Sequence, residues 1–126
     1  MYLVLDSTFV IDHLRGEPGA RARWDRMFQD GDQPVVTEVV VCEVRTGLRE
    51  ADVVILDRML IPTEFVQAGR ETATLAGSWR AANREFGRTL GLADALIAAA
   101  AFHLGGGVVT RDIRDFDLTP VRIETY

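Results

Sequence analysis

The chain contains no lysine; all 14 of its basic residues are arginine. That absence excludes chemistries resting on a lysine amine: P-loop phosphate binding, receiver-type phosphoryl transfer and Schiff bases. Cysteine is nearly missing as well. The single Cys42 has no partner for an internal disulfide, and a lone thiol suits a reducing compartment. Its place in the run Val39-Val40-Val41-Cys42 makes it an expected core residue, structural rather than reactive. His13 and His103 stand at no familiar zinc-ligand spacing with Cys42. The longest apolar run, around Leu96 to Phe102, is too short to span a bilayer, so no membrane contact is expected. An acid arrives as early as Asp6, which does not suit a secretory leader. A soluble, cytoplasmic protein is therefore expected. Excess positive charge is also lacking. The net charge of −5 gives no global field to recruit nucleic acid. Clustered arginines can still meet phosphate locally, because the guanidinium is a planar fork.

What is present reads as one domain over residues 1–126, long enough to bury a real core. Tyr2 to Leu5 is a continuous apolar run, the pattern of a parallel strand covered on both faces. Ser7 and Thr8 suit the start of a helix over Phe9 to Arg15, stopped at Gly16-Glu17-Pro18. Gly19 to Phe28 predicts an amphipathic helix, with Arg21, Arg23 and Arg26 on a basic face. Val35 to Thr37 suits a second strand, and Thr37 a cap for a helix over Glu38 to Arg49. A helical piece over Ala51 to Asp57 follows, with Val53, Val54 and Leu56 inward, then a third strand at Met59 to Ile61. Thr63 suits the cap of the longest helix, Glu64 to Arg84, along a stripe of Val66, Gly69, Ala73, Ala76 and Arg80. Leu92 to Leu104 is apolar all round and so predicts a buried helix. Val108 to Thr110 suits a fourth strand and Val121 to Glu124 a fifth, at an edge. Strands alternating with helices predict an α/β sandwich, with a mainly parallel sheet of about five strands flanked by helices.

Four acids take comparable places in that plan. Asp6 ends the first strand, Glu43 sits within an apolar helix, Asp94 opens the buried helix, and Asp112 follows the fourth strand. Each has an ordinary explanation; Asp94, for example, suits a helix cap. Together they are costly, since crowded carboxylates repel and resist burial. With no lysine to compensate, a cation is expected. Oxygen-only ligands select a hard ion, Mg²⁺ or Mn²⁺. Such an ion can hold a phosphate and lower the pKa of water.

In order, the motifs are Leu5-Asp6-Ser7-Thr8-Phe9-Val10-Ile11, Thr37-Glu38-Val39-Val40-Val41-Cys42-Glu43-Val44, Gly91-Leu92-Ala93-Asp94-Ala95-Leu96-Ile97 and Val109-Thr110-Arg111-Asp112-Ile113-Arg114-Asp115-Phe116. The ordered set resembles a PIN-domain ribonuclease, and more narrowly the VapC toxins of bacterial toxin–antitoxin systems. The resemblance covers the whole chain. It implies a PIN-like three-layer sandwich, a Mg²⁺- or Mn²⁺-dependent endoribonuclease acting on RNA, and a cognate antitoxin encoded beside it. It also implies that Asp6 and Asp94 are the principal metal ligands, with Glu43 and Asp112 completing the acidic pocket. Asp115 stands close by, and Thr110 and Thr8 fall on polar positions lining the pocket. Relatives often carry Asn where this chain has Asp112, which leaves Asp112 and Asp115 as candidates for the fourth acidic role. A homodimer is expected because most small soluble oligomers are two-fold.

Two other functions compete. A receiver domain or aspartyl-phosphate phosphatase also places Asp at strand ends. Those need a lysine, and the phosphatase a second Asp where this chain has Thr8. The other is a PIN-like module that binds RNA or a partner without cutting; the presence of all four acids speaks against it.

Overall fold

Leu3, Val4 and Leu5 are completely buried, because strand β1 (Tyr2–Leu5) is the middle of the sheet. The computed structural model describes residues 1–126. The other strands are β2 (Gln33–Thr37), β3 (Glu64–Val66), β4 (Gly107–Val109) and β5 (Arg122–Glu124). They form one sheet in the order β3-β2-β1-β4-β5, and every pairing is parallel. Seven helices connect and flank them: α1 (Ser7–Leu14), α2 (Pro18–Gln29), α3 (Glu38–Thr46), α4 (Val53–Leu60), α5 (Gly69–Glu85), α6 (Leu92–His103) and α7 (Ile113–Phe116). The expected α/β architecture is thus present. The chain winds outward from β1 through β2 to β3, then crosses back to β4 on the other side of β1. Between β1 and β4 lies the topological switch point, where open parallel sheets bind ligands beyond their carboxyl ends.

The main core joins Leu3, Val4, Leu5, Val35, Val36, Val108 and Val109 of the sheet to Phe9, Val10, Met27, Val40, Val44, Ile97 and Phe116 of the helices. Ala95 and Ile97 through Ala101 are all buried, as expected for a helix without a polar side. At Gly106 a Cβ would stand 2.0 Å from the Tyr2 carbonyl oxygen, so only glycine lets the chain pass β1 on its way into β4.

Several local expectations are corrected. α1 begins at Ser7, and its N-cap is Asp6 itself. Cys42 is exposed, not core. Val40 and Val44 face inward one turn apart, and a residue midway between them must point away. Arg23 leaves the basic face of α2: it is buried and pairs with Glu124 at 3.0 Å. Met59 and Leu60 belong to α4, where Leu56 and Met59 are buried three residues apart, a helical spacing; Val54 is exposed. The third strand lies later, at Glu64–Val66, in place of the cap and first turn expected at Thr63 and Glu64. It is a short edge strand with Phe65 exposed, so it shows no alternation to read. α5 starts at Gly69 and buries Thr72, Ala76 and Asn83, which shifts its inner face from the expected stripe.

Candidate active site at the carboxyl edge of the sheet

Asp6 sits one residue beyond β1 and is 3 % exposed. Three donors hold it. The Ser7 backbone N–H donates to Oδ1 at 2.8 Å, and the Thr8 and Thr110 hydroxyls both donate to Oδ2 at 2.8 Å. Thr110 directly follows β4, whose Val109 pairs with Leu5, so the register itself brings Thr110 beside Asp6. Thr110 also accepts from the Asp112 backbone N–H at 2.9 Å, which ties the start of α7 to the pocket. Asp6 is thereby locked in position while Oδ1 keeps a free lone pair.

Asp94 enters from α6. The N-cap is Gly91, so Asp94 lies within the first turn and is not the cap. Its carboxyl pKa is pushed up to about 7, first by burial and then by the charges of Asp115, Asp6, Glu43 and Asp112. The other four acids are thus near enough for their charges to act on Asp94. Glu43, on α3, is raised by burial and by Asp6, with a hydrogen bond from Ser7 opposing. Asp115, on α7, is raised by burial and by its hydrogen bond and charge contact with Asp112. Thus the structure brings Asp6, Glu43, Asp94, Asp112 and Asp115 together with Thr8 and Thr110. None of the five acids forms an ion pair with an arginine.

The donor set fits a hard divalent cation. It is oxygen only, it carries uncompensated negative charge, and its acids come from four separate elements of the fold. Thr37 adds to the fit. By register it neighbours Asp6 across β2, and its buried hydroxyl has no partner. As the side chains stand, no three His, Cys, Asp or Glu residues close into a ready-made metal cage. Glu43, Asp112 and Asp115 are exposed, where side chains can turn toward an ion.

Sequence reading missed two residues. Thr37 was assigned to capping, yet its side chain makes no cap hydrogen bond. Asp12 falls inside the expected helix Phe9 to Arg15. It is 4 % exposed and accepts from Arg111 and from the Tyr126 hydroxyl. Neither partner is near it in sequence, so no local signal existed.

A second feature lies apart from the acids. A groove of about 460 Å³ runs between α1, α3 and α4, with Ile11, Leu14, Val44, Leu48 and Ile55 as its apolar lining and Arg15, Arg49 and Asp52 as its charged lining. No helix is long and apolar enough to cross a membrane.

Known proteins share this fold. Ribonuclease VapC19 of Mycobacterium tuberculosis is 27% identical over 117 residues, covering 93% of this chain and 94% of that protein. Among solved structures, VapBC2 from Rickettsia felis, bound to a DNA fragment from its promoter, superposes with a TM-score of 0.88 at 18% identity. It covers 99% of this chain and 98% of the matched one. DNA-bound VapBC from Salmonella typhimurium gives 0.86 at 21% identity, with the same coverage. The PIN domain family matches residues 3–121, which take in every acid of the pocket, and the chain belongs to that family.

Proposed function

We propose that the chain is a metal-dependent endoribonuclease, the toxin of a type II toxin–antitoxin pair. The observation carrying this reading is the convergence of Asp6, Glu43, Asp94, Asp112 and Asp115, without a cationic partner, at the switch point of the sheet. The similarity to a named VapC ribonuclease supports the substrate class.

Asp6 and Asp94 would hold Mg²⁺ or Mn²⁺, with Glu43 and Asp112 completing the set. When bound, the ion supplies charge stabilisation for the phosphate and lowers the pKa of water. The chain's own residues do the rest. Thr8, Thr110 and the Ser7 N–H fix the Asp6 carboxylate, so its position is set before substrate arrives. α6 anchors Asp94 through its buried alanines, and a site on a rigid element keeps its geometry. Hydrolysis forms a phosphorus–oxygen bond from water and breaks the ester bond to the leaving ribose oxygen. One proton leaves the water and one reaches the leaving oxygen. Glu43 and Asp115 stand beside the other acids and are carboxylates that can take or give a proton. Asp112 and Asp115 both stand as candidates for the fourth ligand: the Asp112 backbone is bonded to Thr110, and the Asp115 charge acts most strongly on Asp94.

The groove between α1, α3 and α4 suits an amphipathic segment of an antitoxin, a common recognition mode. A homodimer belongs to the same reading.

The test is expression and cleavage together. Expressed alone, the chain should arrest growth; expressed with the product of the adjoining gene, it should not. The purified protein should cut bacterial RNA with Mg²⁺ and not with EDTA. A protein that binds RNA but leaves every phosphodiester intact would instead be a binding module.

A further inference from the structure

Arg111 lies between Thr110, which donates to Asp6, and Asp112, which neighbours the pocket. Its backbone N–H reaches the Thr8 hydroxyl oxygen at 3.4 Å. In its guanidinium, Nη1 alone is used: it donates to both Asp12 oxygens, at 3.0 and 2.9 Å. Nε and Nη2 make no bond within the chain. The Arg111 side chain is 62% exposed, whereas that of Asp12 is 6% exposed.

Asp12 is in turn immobilised. The Tyr126 hydroxyl donates to its Oδ2 at 2.6 Å, and the Tyr126 ring packs edge-on against buried Phe9, 5.1 Å between centroids. Burying a carboxylate is costly unless it is paired. An ion pair built only to stabilise the fold would spend the guanidinium on its partner. Here a buried anchor grips one nitrogen and leaves the other N–H groups at the surface. The site that its backbone borders is strongly anionic, and so is any nucleic-acid backbone. A cation at the border is what such a pocket needs to seat a phosphate, and a pre-positioned arginine fork suits that task.

We propose that Arg111, gripped by the Asp12–Tyr126 anchor at the rim of the acidic pocket, takes a backbone phosphate of the RNA through its outward N–H groups. This rests on the ribonuclease reading. Arg111 is a binding residue here, and Asp12 and Tyr126 are positioning residues.

The test compares Arg111→Gln with Arg26→Gln. Both remove one positive charge, but Arg26 lies exposed on α2 and its side chain has no hydrogen-bond partner. Binding of a labelled single-stranded RNA pool of random sequence is titrated against NaCl in EDTA, and cleavage kinetics are measured with Mg²⁺. Losing one phosphate contact from a single strand should flatten the slope of log K against log salt by about 0.7. Arg111→Gln should show that change and raise KM roughly tenfold with kcat within about threefold, since lost uniform binding appears in KM. Arg26→Gln should leave slope and KM at parent values. If Arg111→Gln does not fold because Asp12 loses its partner, Arg111→Lys serves in its place. Its amine is held by Asp12 and has no second fork to offer, so KM should again rise. A parent that cuts RNA, with folded Arg111 variants that keep its KM and salt slope, overturns the assignment of Arg111 alone. A parent that neither binds the pool nor cuts RNA overturns the ribonuclease reading and this proposal with it.

Discussion

Removing the charge of Asp94 should stabilise the metal-free protein, and the effect should depend on pH. The folded pKa of about 7 lies well above the ordinary value of 3.8. The sign follows from proton counting. Between those values the folded state keeps a proton that the unfolded state has released, so stability falls as pH rises through this window. Below it both states are protonated and the penalty is gone; above it the penalty is full. Taken at face value, the shift is worth about 4 kcal/mol at 1.36 kcal/mol per unit. Asp94 is only half-buried, and water screening reduces this to roughly 1–2 kcal/mol. Its place in the first turn of α6 gives back roughly 0.3–1 kcal/mol, since a helix N-terminus favours an anion. Asp94→Asn should therefore gain about 1 kcal/mol near pH 8, or about 4 °C in Tm for a domain of this size. The gain should vanish toward pH 4. Thermal melts in EDTA across that range measure it. A variant that melts below the parent at pH 8, or gains equally at both ends, would refute the crowding argument.

Two further outcomes are expected. Mg²⁺ or Mn²⁺ should raise the Tm of the parent, because a ligand of the folded state stabilises it. Asp6→Asn should show a smaller increment, and an equal increment at every metal concentration would remove Asp6 from the ligand set. Gly106→Ala should be among the most damaging changes, since its Cβ would meet the Tyr2 carbonyl oxygen of the central strand at 2.0 Å. A loss of roughly 3 kcal/mol is expected in urea unfolding, the scale of severe overpacking; a neutral result would mean that β1 can shift.

Three of the acids were legible because they stand at punctuation marks of the chain. Asp6 ends an apolar strand, Asp94 opens an apolar helix, and Asp112 follows a second apolar strand. A parallel sheet must gather strand ends on one edge, so local position was enough to group them. The phase of α3 was not legible, because four successive apolar positions fit any rotation; Cys42 was therefore placed inside although it faces out. Edge strand β3 was missed for a related reason: neither face of Glu64–Val66 is buried. Asp12 shows the deeper limit. Its partners Arg111 and Tyr126 are 99 and 114 residues away in sequence, and nothing around Asp12 announces them. A buried ion pair assembled by the fold becomes visible only in three dimensions.

The most direct measurement compares RNA cleavage by the parent and by Asp94→Asn at equal concentration with Mg²⁺, after melting curves show that both are folded. The Asn variant keeps the shape of the side chain and removes the charge that would hold the cation. Cleavage should fall by at least about a hundredfold, on the scale seen when a positioned charge is lost from a catalytic site, while the Tm in EDTA stays at or above that of the parent. A folded Asp94→Asn protein that cuts RNA at the parent rate would contradict the proposed mechanism.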